Sequence, residues 1–439
     1  MGNNTRKFFI WSTNACIERI LDCQKIHDYL VHNGWVSVKD LSRADLIVVS
    51  TCSLTEEEDK SSEDYIRFCL RRKRKTAEII IAGCMPVIVP DKFSKLGRFL
   101  TVSPTNFDAL DKFVKGEYGF NESAEPNIVV VSKFHKLLFK KWLKLTLRMR
   151  DWFSGFKSKK GLLPGFLAFL RKHAGTVGSL SSAIDPFLVN SRNDFFYLRI
   201  SRGCLGECSY CAKRFSTGRL KSRDREAILR EFEAGLKKRY EKFYLVSEDC
   251  GCYGRDINSS VLDLLEQIFS AGREYRFKLV IPNFNAQWLV KYYEPLERML
   301  VANRDKVLYL QVPVQSGSDR ILRLMNRHYN IADVQKCLLR LKKKAPGLPL
   351  KTDIIVGFPG ENEEDFLRTR KFMEKMEFDF ADIFPFQNRQ NTPAYDMPGK
   401  VPEEIKESRA RDLLKIRKYR PGSVVILKKA VELVKDFYV

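Results

Sequence analysis

Three cysteines in one short loop, Cys204-Leu205-Gly206-Glu207-Cys208-Ser209-Tyr210-Cys211, constrain this chain more than any other stretch. They follow an apolar run, Phe195 to Ile200, that ends at Ser201-Arg202-Gly203. Thiols at this spacing can ligate three irons of a four-iron, four-sulfur cube and leave the fourth iron without a protein ligand. A structural zinc site closes with four ligands, and the next thiols, Cys250 and Cys252, stand far down the chain. Zinc and inert core thiols are the competing readings.

A second group of cysteines is dispersed. Lys7 to Ser12 reads as a strand, and Ala15 to Asn33 as a helix with Ile17, Ile20, Leu21, Ile26, Tyr29 and Leu30 along one side. Ala44 to Ser50 and Glu78 to Ala82 read as further strands, separated by a charged helix from Glu56 to about Arg74. Strands alternating with helices predict a parallel sheet, which takes ligands beyond the carboxyl ends of its strands. Cys16, Cys52 and Cys84 each follow one of these strands and are expected at one sheet edge, as a second three-thiol site or as buried core cysteines. Cys23 and Cys69 fall on predicted helices and read as packing residues.

From Asp194 onward strand-like and helical stretches alternate as βα units of a barrel or partial barrel, whose working face lies at the strand carboxyl ends. Motif-like turns fall there: Gly218-Arg219-Leu220-Lys221-Ser222-Arg223, Ser247-Glu248-Asp249-Cys250-Gly251-Cys252-Tyr253-Gly254-Arg255-Asp256, Val312-Pro313-Val314-Gln315-Ser316-Gly317-Ser318-Asp319, and Thr352-Asp353-Ile354-Ile355-Val356-Gly357-Phe358-Pro359-Gly360-Glu361.

The CxxxCxxC loop, with Tyr210 before its last cysteine, resembles the radical S-adenosylmethionine superfamily. The ordered set of motifs resembles its methylthiotransferase members over residues 1 to 131 and 193 to about 420. Ala44 to Thr55 is similar to their ADxxxxNTCxVT segment, Ile81 to Met85 to xxGC, and Ser247 to Asp256 to GQDVNxYGRD. Val307 to Tyr329 is similar to LPVQSGSDxVLxxMxRxY, and Phe384 to Ala394 to FxYSxRxGTPA. Their GCxxNxxDS stands here as Ala15-Cys16-Ile17-Glu18-Arg19-Ile20-Leu21-Asp22-Cys23, with Arg19 in place of Asn.

The resemblance implies an α/β chain: a flavodoxin-like or Rossmann-like parallel sheet domain over 1–131, then a radical S-adenosylmethionine partial TIM barrel over 193–425. It implies two four-iron, four-sulfur clusters, one on Cys204, Cys208 and Cys211 that cleaves S-adenosylmethionine to a 5'-deoxyadenosyl radical, and an auxiliary one on Cys16, Cys52 and Cys84 that supplies sulfur. Tyr210, Arg219, Arg223, Glu248, Gln315, Ser316, Arg327 and Asp353 are the implied cofactor-binding residues. No side chain is singled out as acid, base or nucleophile. Cys250 and Cys252 read as bystanders, with sulfur handling as the alternative. The expected product is a C–S–CH3 group replacing an unactivated C–H, on a tRNA adenosine near the anticodon. The alternatives are a protein or ribosomally made peptide substrate, and a membrane-associated iron-sulfur protein without this activity.

Net charge, +23, favours a polyanionic partner. Much of it sits between the two domains, in 132–192, where Lys133 to Lys172 carries twelve Lys and Arg against one acid, Asp151. Phe134, Leu137, Leu138, Trp142, Leu145, Met149 and Trp152 recur there at helical spacing, so a basic amphipathic helix is expected, docking on tRNA, an anionic membrane or an acidic partner, or packing on the barrel. Gly175 to Ser182 reads as a linker. The family's C-terminal RNA-gripping TRAM domain is expected to be missing, with 426–439 as a short tail. The expected setting is cytoplasmic, with a reductant such as flavodoxin or ferredoxin.

Overall fold

The computed structural model describes residues 5–12, 16–129, 194–416 and 424–425. The basic stretch expected over 132–192 and the tail 426–439 lie outside the described residues. The first sheet contains β1 (Lys7–Ser12), β2 (Val36–Ser37), β3 (Leu46–Thr51), β4 (Glu78–Gly83) and β5 (Leu100–Val102) in the order β2-β1-β3-β4-β5. All its pairs are parallel. This is the flavodoxin-like order, and it reverses between β1 and β3, the place where such sheets open a crevice.

Alternate residues of these strands serve opposite faces. Phe8, Leu46, Val48 and Ile80 pack with Ile26 and Leu30 of α1 (Ile17–His32), while Phe9, Ile47, Val49 and Ile81 pack with Ile66 and Cys69 of α2 (Glu56–Arg72). Cys69 packs in the second of these clusters, and Cys23, on α1, is buried beside Ser12 and Ser50, both on the helical positions the sequence suggested. Thr55 and Glu58 close a capping box at the start of α2. The edge strands β2 and β5 are too short for periodicity to reveal them.

The second sheet begins with β6 (Phe195–Arg199), from which β7 (Ser201–Arg202) and β8 (Lys221–Ser222) branch as an antiparallel ribbon. It continues through β9 (Lys242–Val246), β10 (Lys278–Ile281), β11 (Val307–Gln311), β12 (Leu350–Val356), β13 (Phe380–Pro385) and β14 (Val424–Val425). The order β14-β13-β12-β11-β10-β9-β6 is sequential and parallel, and among the described residues its two ends do not pair, so the barrel is partial.

The helix expected over Ala15 to Asn33 is present as α1 with its apolar side buried, but the burial extends beyond that side: every residue from Ile17 to Ile26 is buried. Ile17, Ile20 and Leu21 pack against Phe195, Tyr197, Tyr244, Val280 and Tyr309, the inward residues of the barrel strands. The polar positions Glu18, Arg19, Asp22 and Lys25 are buried because the barrel and the segment leading to it supply partners. Asp22 meets Arg199 at 3.0 Å and Arg202 at 2.7 Å, and Lys25 meets Glu125 at 2.9 Å. A single-sequence pattern marks polar residues as solvent-facing unless their partners are known.

Candidate metal and cofactor site

The three-cysteine loop leaves β7 through Gly203, at φ 68°, where a Cβ would stand 2.3 Å from the Arg219 carbonyl oxygen. Only glycine fits that approach. The loop is pinned by backbone and hydroxyl bonds: Ser209 N donates to the Met325 carbonyl at 3.0 Å, Ser209 Oγ to that of Leu324 at 2.7 Å, and Ala394 N to that of Ser209 at 2.9 Å. Gly206 lies between the sulfurs of Cys204 and Cys208, each 3.7 Å from where its Cβ would be. Burial, then the neighbouring Cys211, pushes the Cys204 thiol up to about 12; burial, then Cys208, raises Cys211.

Cys16, Cys52 and Cys84 stand beyond β1, β3 and β4, three neighbours in the sheet, with Cys16 and Cys52 flanking the point where strand order reverses. Gly83 delivers Cys84 at φ 101°, where a Cβ would be 2.3 Å from the Thr51 carbonyl oxygen. The Cys52 thiol lies 3.1 Å from Glu58 Oε2, and Ser216 Oγ donates to Cys84 Sγ at 3.4 Å. Burial, then Glu18, pushes Cys16 up to about 12; burial, then Glu58, raises Cys52 well above the usual thiol range. The three thiols lie within electrostatic reach of one another.

Among the described residues no three His, Cys, Asp or Glu groups close on a single metal ion. One tetrahedral zinc would draw thiolates to within about 4 Å of each other, given Zn–S bonds near 2.3 Å. A cube gives each thiolate its own iron and so holds its ligands farther apart than one ion does. Buried, neutral thiols must also release protons to bind iron.

The other predicted residues divide. Arg327 is buried against the loop, with Nη1 3.5 Å from Cys208 Sγ, Nη2 donating to the Pro313 carbonyl at 2.7 Å and Nε to Tyr329 Oη at 3.1 Å. Tyr210 packs beside Ile321, Met325, Phe358 and Ala394. Gln315 holds a left-handed φ of 72°, with its N–H on the Asp353 carbonyl at 2.8 Å. Ser316 Oγ lies 3.3 Å from Thr369 Oγ1 and accepts from Ser318 N at 3.2 Å, a turn-holding role. Asp353 accepts from Gln311 Nε2 at 2.8 and 3.0 Å, and burial, then Asp382, pushes its carboxyl up to about 7. Glu248 follows β9 with a side chain 4 % exposed, and its Oε2 has no hydrogen-bond partner. That buried, unused acceptor suits the ribose or amine donors of S-adenosylmethionine.

Arg219 and Arg223 are directed elsewhere. Arg219 is exposed and pairs with Glu207 at 2.8 Å. Arg223 pairs with Glu231, donates to the Arg199 carbonyl at 2.8 Å, and lines a cavity of about 470 Å³ together with Lys25, Ser123, Glu125, Arg202 and Lys221. Arg327 is instead the cation that the fold sets against the loop. Cys250 and Cys252 are fully buried core residues, the latter donating to the Asp249 carbonyl at 3.1 Å. Lys213 carried no signal in the sequence, yet it bonds Glu18 Oε1 at 3.0 Å across the domain junction. Arg19 was visible only as a departure from a motif.

Residues 198–373 match the model of the Radical SAM superfamily, and residues 9–102 that of the uncharacterized protein family UPF0004. The chain is 29% identical to the ribosomal protein uS12 methylthiotransferase RimO of Acetivibrio thermocellus, over 92% of this chain and 80% of that one. It is also 29% identical to the tRNA-2-methylthio-N(6)-dimethylallyladenosine synthase of Caldicellulosiruptor saccharolyticus, over 94% and 78%, and to the threonylcarbamoyladenosine tRNA methylthiotransferase MtaB of Thermotoga maritima, over 92% and 80%. The chain belongs to the radical S-adenosylmethionine methylthiotransferase family. It is therefore an enzyme whose family works with a four-iron, four-sulfur cluster and S-adenosylmethionine.

The fold of this methylthiotransferase is shared by TsrM from Kitasatospora setae, a radical S-adenosylmethionine methyltransferase, at a TM-score of 0.59 and 12% identity over 89% of this chain and 77% of that one. OxsB, a cobalamin-dependent S-adenosylmethionine radical enzyme, superposes at 0.54 and 13% identity over 96% and 58%. At such identities the likeness concerns the fold alone. Among the described residues no helix is long and apolar enough to cross a membrane.

Proposed function

We infer that this methylthiotransferase replaces an unactivated C–H bond of a tRNA adenosine near the anticodon by C–S–CH3, using two clusters. The single observation that supports the two-cluster reading is the pair of three-thiol groups, one contiguous and one gathered from three adjacent strand ends, joined through Ser216 and Cys84. When bound, the cluster on Cys204, Cys208 and Cys211 with S-adenosylmethionine supplies one-electron cleavage and hydrogen abstraction, and the cluster on Cys16, Cys52 and Cys84 supplies sulfur. The chain's own residues then have defined tasks. Glu248 accepts from donors of the cofactor, Arg327 places positive charge beside Cys208, and Gln315 turns the backbone at the strand ends. The inward tyrosines Tyr197, Tyr244 and Tyr309, closed over by α1, keep bulk water from the barrel bore. The same reading divides the chain into 1–131, 132–192, 193–425 and 426–439, with the basic 132–172 as a surface for tRNA.

The net charge of +23 favours RNA over protein as substrate. Relatives named for ribosomal protein uS12 keep a protein substrate as the second reading. The test is anaerobic reconstitution with iron and sulfide counts, followed by turnover on unmodified tRNA and on ribosomal protein, read by mass spectrometry. About eight irons per chain and a methylthio nucleoside support the reading; about four irons removes the sulfur donor. Methylthiolation of protein alone would move the substrate to the second reading.

A further inference from the structure

A chain of buried charges runs between the two groups of thiols. Cys16 caps α1, and the first turn of that helix carries Glu18 and Arg19. Lys213, two residues after Cys211, bonds Glu18 Oε1 at 3.0 Å and lies 3.9 Å from Glu248 Oε1; Arg19 Nη2 lies 3.5 Å from the same Glu248 oxygen. Arg19 Nη1 also pairs with Asp22 Oδ2 at 3.1 Å. The side chains of Arg19 and Glu248 are 1 % and 4 % exposed. Arg19 Nε and Glu248 Oε2 nevertheless have no hydrogen-bond partner.

Burying two ions with unused hydrogen-bonding capacity is a poor way to gain stability, because desolvation is only partly repaid. The two residues carry opposite charge, and the fold sets them against each other. Arg19 is the third residue of α1 after its cap Cys16, in the first turn, so it stands beside that thiol and acts electrostatically on Cys16 and Cys84, with Lys213 as the other cation acting on Cys16. Glu18 and Glu58 are the carboxylates facing the same thiols, beside Cys16 and Cys52 respectively.

We propose that Arg19 and Glu248 are positioning residues that set the electrostatic potential of the centre on Cys16, Cys52 and Cys84, Arg19 as a fixed cation and Glu248 as its counter-charge on the cofactor side. This rests on the reading that those thiols hold an auxiliary cluster. A nearby cation stabilises the more negative, reduced cluster and raises its reduction potential, and a nearby carboxylate lowers it. The two residues therefore act in opposite directions, which a merely structural pair does not.

The test uses the full chain, reconstituted anaerobically, with Cys204, Cys208 and Cys211 replaced by Ala so that only the auxiliary centre is read. Its midpoint potential is followed by electron paramagnetic resonance during a redox titration. Arg19→Gln is expected to lower the midpoint, Glu248→Gln to raise it, and the double variant to return near the parent. If Arg19→Gln fails to hold iron, Arg19→Lys and Glu248→Gln carry the test, the first expected to stay near the parent value and the second to rise. Iron-replete variants with an unchanged midpoint, or with shifts of the same sign, overturn the proposal alone. About four irons in the unmodified chain overturns the auxiliary-cluster reading, and this proposal with it.

Discussion

Asp353 shows how one residue carries both a structural and a titration signature. Burial, then Asp382, raises its carboxyl from 3.8 to about 7, against the pull of Lys351 and Gln311. The folded chain thus holds a proton there that the unfolded chain releases near 3.8, so this stabilisation is complete below pH 4 and is lost as pH rises through about 7. Asp353→Asn should flatten the fall in melting temperature between pH 4 and pH 7, by several degrees relative to the parent; equal slopes in the two proteins would contradict this. Two glycines act through shape. Gly83→Ala forces a Cβ against the Thr51 carbonyl at a left-handed φ, and Gly203→Ala does the same against Arg219. Each should destabilise its own domain by roughly 1–3 kcal/mol, the usual range for such strain. Iron counts should fall at Cys84 in the first case and at the Cys204 loop in the second. Both glycines stand in stretches the sequence singled out, Ile81 to Met85 and Ser201-Arg202-Gly203, whereas the partner atoms that exclude a Cβ came only with the fold.

Among the elements, α1 departs furthest from its sequence pattern. Its length and apolar side were readable from Ile17, Ile20, Leu21, Ile26, Tyr29 and Leu30, but its burial against a barrel more than 170 residues away was not. Arg199, on β6, donates to the Glu18 carbonyl and to Asp22, both at 3.0 Å, and Nε reaches Glu125 at 2.9 Å. Burial alone would raise Asp22, but Arg19, Arg202 and Arg199 hold it below the usual carboxylate range. Its stabilisation is therefore present above the ordinary 3.8 and lost as pH falls through the depressed value. Asp22→Asn should cost about 3–5 kcal/mol in chemical denaturation at pH 7, the range for removing one partner of a buried ion pair. A loss below 1 kcal/mol would mean that the guanidinium groups find other partners. The strands that carry the cysteines were legible because continuous apolar runs bounded by turns mark buried parallel strands. β2 and β5 were not, since two or three edge residues carry no period.

For the molecule as a whole, the order of domains and the parallel character of both sheets followed from the alternation of strand-like and helical stretches. The position of Arg219 did not, because a motif places a residue near a site without fixing where its side chain points. Net charge is a property of the whole chain, and so is the prediction drawn from it. Affinity for tRNA should fall steeply with salt, log Kd changing linearly with log salt and a slope that grows with the number of phosphates neutralised. Replacing Lys140, Lys141 and Lys144 by Gln should reduce that slope measurably in a filter-binding titration. An unchanged slope would take these lysines out of the RNA surface.

The short helix Lys213–Thr217 starts two residues after Cys211 and ends beside Cys84, which Ser216 Oγ touches. Five residues are too few to bend, so whatever shifts one end is passed to the other as a rigid rod. Position is therefore held in common: a displacement at the Cys211 end is felt at the Cys84 end, so the two groups of thiols share one wall.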